Sequence, residues 1–149
     1  MKELTLELAI KAIKAAERWA RDVAGFPCSI AVVDRGGSLI AVHRMDGAAP
    51  ATVEIAIEKA WSAAIFRIPT ILMSRWLDPR NVGEIIGVHA FGMIGRLKGR
   101  LCVIPGGIPI RDDEGEVIGA IGCSGVPSSF GEISDTTVSQ AGIAALYDE

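Results

Sequence analysis

Arg44 and Asp46 are the first pair of residues whose types and spacing suggest chemistry. They stand two apart at the end of a predicted strand, so both side chains can lie on one face of it. An arginine fork and a carboxylate placed in this way can orient a bound ligand or can form an ion pair with each other. The spacing therefore indicates one wall of a ligand site or a purely structural pair.

Lys59 is the second candidate, because its neighbours three and four residues away on a predicted helix are small or apolar: Ile55, Ala56, Ser62 and Ala63. A buried ammonium group needs a partner, and Asp34, Asp46 or a bound anion could serve. The alternative is that the lysine stem follows the edge of the helix out to water. If the chain is an enzyme, Lys59 and Asp46 are the candidate catalytic residues.

The two histidines, His43 and His89, are too few for a multi-histidine metal site, but either could be a single axial ligand to haem iron. His43 stands in the middle of an apolar strand, which favours a structural histidine in the core. His89 lies beside Phe91 and Met93 in a glycine-rich stretch where a ligand could enter. His89 is therefore the better axial candidate.

Charged residues suggest two further sites. Glu54 and Glu58 are four residues apart on a predicted helix, so they are weak candidates for holding a cation, although a solvated face explains them as well. The segment from Arg75 to Arg100 carries five cations against two acids in an otherwise acidic chain. This segment could meet an anionic ligand such as a haem propionate or a small organic acid, or it could be a solvated loop.

Pro105, Gly106 and Gly107 form a sharp predicted bend whose backbone amides can line a binding pocket. The bend names no reaction. Ser124 lies in a Gly-Cys-Ser-Gly sequence, which is not a nucleophile elbow, and no serine–histidine–acid arrangement can be assigned. These residues therefore indicate a position for binding only.

The composition excludes several classes of protein. A net charge of −3 and an aromatic content of 5% argue against a nucleic-acid partner. No apolar run is long enough to cross a membrane, and the first residues do not form a secretion signal. The cysteines Cys28, Cys102 and Cys123 are far apart and stand in apolar runs, so we expect reduced thiols in the core of a cytoplasmic protein.

The elements that must position these residues form one α+β domain over residues 1–149. Hydrophobic periodicity and turn residues predict the order α-ββ-α-α-βββ-α, with an antiparallel sheet flanked by helices. The strands are predicted over 28–34, 39–45, 101–104, 108–111 and 116–124, and the helices over 5–24, 53–66, 70–77 and 135–146. The glycine-rich stretch 80–100 is predicted to be an irregular connection that could be mobile and that has some short strand content.

Several segments taken together resemble one family. They are Ala31–Gly37 (AVVDRGG), Arg44–Ala48 (RMDGA), Glu54–Ala56 (EIA) with Lys59-Ala60, Pro69-Thr70, Pro105–Ile110 (PGGIPI), Val117–Gly125 (VIGAIGCSG), Asp135 and Ala141-Gly142. In this order and spacing the chain resembles the GlcG/HbpS-like family, which includes the C-terminal domain of PduO-type proteins. The resemblance extends from about Leu4 to Leu146.

The resemblance implies a profilin-like fold with a five-stranded antiparallel sheet. It also implies assembly into homodimers or larger rings, often octamers, and haem binding in some members. The family has no single fixed haem ligand, so none is transferred to a numbered residue here. Three functions follow as hypotheses: an oligomer that binds haem or another small anionic ligand, an enzyme acting on an organic acid, or a structural accessory protein of a metabolic pathway. Arg44, Asp46, Lys59, His89 and the bend at Pro105–Gly107 are the expected ligand contacts.

Overall fold

The computed structural model describes residues 1–80 and 87–147. Its helices are α1 (Leu6–Trp19), α2 (Ala51–Phe66), α3 (Thr70–Met73), α4 (Gly87–Arg96) and α5 (Asp135–Tyr147), with a π turn over Ala20–Ala24 and a 3₁₀ turn over Ser74–Leu77. Its strands are β1 (Ser29–Asp34), β2 (Leu39–Arg44), β3 (Gly107–Arg111) and β4 (Val117–Ser124). None of the helices in the described ranges combines the length and the apolar character needed to span a membrane.

The four strands form one antiparallel sheet in the order β2-β1-β4-β3. Helices α1 and α5 pack against each other and against one face of the sheet, whereas α2 covers the other face. Short turns over residues 35–38 and 112–116 explain the antiparallel pairing of β1 with β2 and of β3 with β4, because a short turn joins only antiparallel strands. The domain therefore has three layers, and β2 and β3 are the edge strands of its sheet.

Strand β1, one of the two central strands of the sheet, divides its side chains between two cores. Ile30 and Val32 belong to the core beneath α1 and α5, and Ala31 and Val33 belong to the core beneath α2. All four side chains are fully buried. This alternation follows from the two-residue period of a strand. The core beneath α2 is built mainly of alanine, which brings this helix close to the sheet.

The sheet has four strands in the described residues, and the prediction of five was wrong. The segment 101–104, predicted to be a strand, has no strand structure and does not pair with the sheet, although its first three residues are buried. The Cys102 amide instead donates to the hydroxyl of Ser62 in α2, at 2.8 Å. Leu101 and Val103 pack against Met73 in a third, smaller core. This segment has the composition of a strand, but the Ser62 side chain takes its amide hydrogen bond and a separate apolar cluster buries its side chains.

The glycine-rich stretch contains helix α4, so the prediction of an irregular connection was wrong for residues 87–96. Ala90 is fully buried, and Met93 and Ile94 pack against the third core. This burial offsets the intrinsic cost of glycine in a helix. Gly99, with φ of +76°, ends the segment and donates its amide to the Ile94 carbonyl at 2.9 Å. The part of the prediction that concerns residues 81–86 lies outside the described residues.

Replacing Gly95 by alanine is expected to stabilise α4 by about 0.5–1 kcal/mol, because alanine loses less backbone entropy on entering a helix. A Cβ atom built at Gly95 has no neighbouring atom within 4 Å, so the methyl group fits without a clash. Chemical denaturation of the two proteins measures the difference. A loss of stability in the variant would contradict the helix at this position.

Candidate functional site

An open cleft lies between α1 with its following π turn and the end of the edge strand β2. Its volume is about 760 Å³. The residues that line it are Glu17, Arg21, Gly25, Pro27, Val42, His43, Arg44, Met45 and Asp46. Titratable groups and apolar walls together are typical of sites for small molecules, and this volume lies within the range of such sites.

His43 enters this cleft from β2, and α1 fixes its orientation. Its Nδ1 atom lies 2.6 Å from Oε1 of Glu17, and the two side chains are 37% and 22% exposed. When the Nδ1 hydrogen is donated to this carboxylate, the lone pair of the imidazole is on Nε2. Among the described residues Nε2 has no hydrogen-bond partner. The prediction of a core histidine was therefore wrong, because β2 is an edge strand and leaves the ring partly exposed.

Arg44 and Asp46 both line the cleft and are exposed. In residues 1–80 and 87–147 they form no ion pair with each other or with another group, so the structural pair considered above is not formed. Arg21 adds a second guanidinium group, whose Nε lies 3.2 Å from the exposed carboxylate of Asp22. The cleft therefore offers two arginines to an anionic ligand, and Arg44 is the unpaired one.

Lys59 is buried in the interior and not in the cleft. It is 1% exposed, and its Nζ donates to Oδ2 of Asp135 and to the carbonyl of Cys123, each at 3.0 Å. Its partner is thus the first residue of α5 and neither Asp34 nor Asp46, which were the carboxylates predicted. The pair ties α2 to α5 across the end of β4. Snorkelling to the helix edge does not occur.

The Pro105–Gly107 bend lies against Lys59: Gly106 makes room for the lysine stem, and Gly107 makes room for the lysine backbone. Gly106 has φ of +136°, and a Cβ atom there would lie 2.6 Å from the Cys123 carbonyl oxygen and 3.0 Å from Cδ of Lys59. The bend is buried. Its polar groups are used internally, because the Gly107 amide donates to the Thr70 hydroxyl at 2.9 Å and the Gly106 carbonyl accepts from Ser139.

The predicted ligand contacts therefore fall in three places. Arg44 and Asp46 meet at the cleft, Lys59 meets the Pro105–Gly107 bend in the interior, and His89 is exposed on α4. Roles in ligand binding for the residues of the interior and of α4 stay predictions. The catalytic roles considered for Lys59 and Asp46 also stay predictions, now with the two side chains in separate environments.

Glu54 and Glu58 lie on α2, outside the cleft. The one group of three metal-ligating side chains that the described residues bring together does not include either glutamate. Burial and the neighbouring Glu54 carboxylate raise the pKa of Glu58, and Arg100 partly offsets this. That Glu54 and Glu58 form a weak cation site stays a prediction. The described residues bring no third ligand to this pair.

Glu58→Gln is expected to increase stability slightly at pH 7, by up to about 0.5 kcal/mol, and not at all in acid. The native state binds the Glu58 proton more tightly than the unfolded state, so stability falls as pH rises through the native pKa. Glutamine removes that penalty. Denaturant titrations at pH 3 and pH 7 measure the difference between the two proteins, and a benefit that persists unchanged at pH 3 would contradict it.

Sequence reasoning missed Glu17 and Arg21 as parts of a site and placed His43 in the core. The two missed residues are four apart in the chain, Glu17 on α1 and Arg21 in the π turn that follows it. Both are charged residues of the kind that an amphipathic helix normally turns to solvent. The only local signal was a histidine in a strand adjacent to a turn. Which strand lies at the sheet edge, and which helix covers that edge, depends on the strand order β2-β1-β4-β3.

Comparisons with known proteins agree with one another. The family described as "Haem degrading protein HbpS-like" matches residues 4–144. An uncharacterized 15.0 kDa protein of Citrobacter freundii is 31% identical over 122 residues, covering 82% of this chain and 80% of that protein. Protein GlcG of Escherichia coli K12 is 38% identical over 96 residues, covering 64% and 63%.

Solved structures give the same result at the level of the fold. HbpS of Streptomyces reticuli, solved as a double mutant, has a TM-score of 0.79 at 30% identity, covering 99% of this chain and 90% of that one. A PduOC:heme complex has a TM-score of 0.78 at 25% identity, covering 96% and 94%. The family match over 4–144 and these similarities lead to one conclusion: the chain belongs to the HbpS-like family.

Proposed function

We propose that this protein binds haem in the cleft between α1 and β2, where Nε2 of His43 would coordinate the iron. The observation that carries the proposal is the 2.6 Å contact between His43 Nδ1 and the Glu17 carboxylate at the wall of an open cleft. A carboxylate on the far nitrogen fixes the orientation and the tautomer of the imidazole ring, so that its other nitrogen can bind a metal. The imidazole ring is therefore already oriented to coordinate iron before haem binds.

The other residues of the cleft suit a flat apolar ligand with carboxylate groups. Val42, Met45 and Pro27 supply apolar wall, and Arg21 and Arg44 supply guanidinium groups for the propionates. The Asp46 carboxylate repels propionates, so we expect these groups to face the arginines. Haem bound here would supply electron transfer or oxygen chemistry at its iron, while the chain supplies the ligand, the orientation and the polarity of the site.

The relatives support haem as the ligand without assigning a reaction. The family description names haem degradation, and a structural neighbour was solved with heme. Self-association and a cytoplasmic location are also part of the proposal. A mass measurement in solution tests the first of these. Enzymatic action on an organic acid and a purely structural role are the alternatives that the haem experiment separates.

Hemin titration of the wild-type protein is expected to shift the Soret band at one equivalent per chain, and His43→Ala is expected to lose that shift. Loss of an axial ligand changes the electronic spectrum directly, which a general loss of apolar contact does not. His89→Ala is the matched control, because His89 is the other histidine of the chain and lies on α4. This variant should keep the wild-type spectrum.

Two further probes separate the parts of the site. Glu17→Gln should still bind hemin but with a shifted reduction potential, because the imidazole loses its anionic partner. Hemin dimethyl ester, which has no free carboxylates, should bind to the wild type more weakly than hemin does. Its affinity should be the same for Arg44→Ala as for the wild type. A wild-type spectrum in His43→Ala, or its loss only in His89→Ala, would overturn the assignment of the ligand. No Soret shift in the wild type would overturn haem binding itself.

A further inference from the structure

Two cysteines lie side by side in the core beneath α1 and α5. Cys28 directly precedes β1, and Cys123 in β4 is paired with Ile30, so the two thiols occupy diagonal positions on one sheet face. Both are fully buried and free. The carboxylate of Asp135 reaches the same place, with Oδ1 3.5 Å from Sγ of Cys123. The two sulfur atoms and a carboxylate oxygen all lie within 4.8 Å of one another.

We propose that Cys28, Cys123 and Asp135 bind a divalent ion of the zinc class through two thiolates and one carboxylate oxygen. Thiolate and carboxylate are both ligands of Zn²⁺, and tetrahedral ligands at zinc distances stand about 3.5–3.8 Å apart. The Cys123–Asp135 distance already has this value. The remaining atoms need to close by about 1 Å at most. The carbonyl oxygen of Phe26 accepts a hydrogen bond from Sγ of Cys28 at 3.6 Å, a bond that the thiol gives up when it loses its proton to the metal.

Hydrogen bonds from neighbouring groups fix the orientation of the Asp135 carboxylate. Oδ2 accepts from Nζ of Lys59 at 3.0 Å, and Oδ1 accepts from the Val126 amide at 2.8 Å. These bonds leave one lone pair of Oδ1 directed towards Cys123. Contacts of this kind, one shell beyond the ligands, orient a metal-binding carboxylate. Two unrelated elements, α2 and the loop after β4, thus fix the position of a ligand on α5.

The charges balance when the ion is bound. Two thiolates and the Asp135 carboxylate carry three negative charges, and the Lys59 ammonium with a divalent ion carries three positive ones. Each thiol releases its proton to water as its sulfur binds the metal, so two protons leave for each ion taken up. Without the ion, two neutral thiols and the Lys59–Asp135 pair are also neutral overall. The buried site therefore keeps zero net charge in both states, which avoids an isolated charge in the core.

The proposed metal site lies next to the cleft but is closed off from it, because Cys28 is fully buried. Pro27 and Met45 line the cleft, and both are adjacent to Cys28: one precedes it in the chain, and the other accepts the Cys28 amide through Sδ at 3.4 Å. The metal proposal does not depend on haem binding, because none of its three ligands lines the cleft.

Titration of the reduced wild-type protein with Co²⁺ alone tests the proposal. We expect a sulfur-to-cobalt charge-transfer band that saturates at one equivalent and that Zn²⁺ abolishes. Cys28→Ser and Cys123→Ser should each lower the band at saturation by more than half. Cys102→Ser is the matched control, because this third cysteine is also buried but lies outside the cluster. It should retain the whole band.

Folding of the variants is checked separately by far-ultraviolet circular dichroism and by the thermal midpoint without metal. Zn²⁺ should then raise the midpoint of the wild type and of Cys102→Ser but not that of Cys28→Ser. Absence of the band in the wild type would overturn the proposal. A band that depends on Cys102 would overturn it as well. Two fewer free thiols in the freshly purified, unreduced protein, with no bound metal, would also contradict it, because a disulfide would then occupy the sulfur atoms.

Discussion

Lys59→Ala is expected to lower the free energy of unfolding by about 3–5 kcal/mol, one of the two largest effects of any single substitution considered for this protein. The reason is that the substitution leaves the Asp135 carboxylate in the core without its cation. Asp135 is 7% exposed, and without Lys59 its carboxylate keeps only hydrogen bonds from neutral groups in the core. An unpaired buried charge costs more than the lost attraction alone. Urea denaturation followed by circular dichroism measures this change.

The double substitution Lys59→Met with Asp135→Asn provides the control. It removes both charges and keeps an oxygen on residue 135 that can accept from the Val126 amide. It should therefore recover more than half of the stability lost in the single variant, because replacing a whole buried pair is far less damaging than breaking it. Lys14→Ala, at an exposed position of α1, should stay within about 0.5 kcal/mol of the wild type. A small effect of Lys59→Ala would mean that the pair is not desolvated.

Gly107→Ala is expected to destabilise the protein by about 3 kcal/mol or more, at the upper end of the range for over-packing. Its Cβ atom would lie 2.2 Å from the carbonyl oxygen of Lys59. Gly122, its direct partner across the β3–β4 ladder, meets the Ala56 carbonyl oxygen at the same distance. The obstacles are backbone atoms of α2, which cannot rotate away. The whole helix would have to move off the sheet.

The same chemical change at Gly95 separates this effect from a general cost of alanine. Gly95→Ala adds a methyl group in open space and is expected to stabilise the protein, whereas Gly107→Ala adds one at a helix–sheet contact. Thermal unfolding of both variants beside the wild type should move the midpoint in opposite directions. Equal shifts would contradict the close approach of α2 to the sheet.

Local signals in the sequence were sufficient for most of the fold. Turn residues and hydrophobic periodicity predicted the two strands that form β1 and β2. Helix α1 begins within one residue of its predicted start, and Thr5 caps it by accepting from the Leu8 amide. The two errors, the extra strand at 101–104 and the missing α4, concern one region. In that region, packing against the third core around Met73 determines the backbone conformation. Composition cannot reveal such a cluster, because its members come from distant parts of the chain.

The candidate site was predictable only in pieces. Arg44 and Asp46 stand at one cleft as their spacing indicated. Lys59 was identified as a cation on an apolar helix face, but its partner 76 residues away could not be chosen from spacing. The contact between Glu17 and His43 spans 26 residues and two layers of the fold. Long-range pairings of this kind depend on strand order and helix packing, which local patterns do not specify.

The most direct test of haem binding at His43 is a crystal structure of the protein with bound hemin. The proposal predicts iron coordinated by Nε2 of His43, Nδ1 of that ring still bonded to Glu17, and the propionates directed at Arg21 and Arg44. Hemin coordinated by His89, or seated elsewhere with the His43 ring uncoordinated, would contradict it.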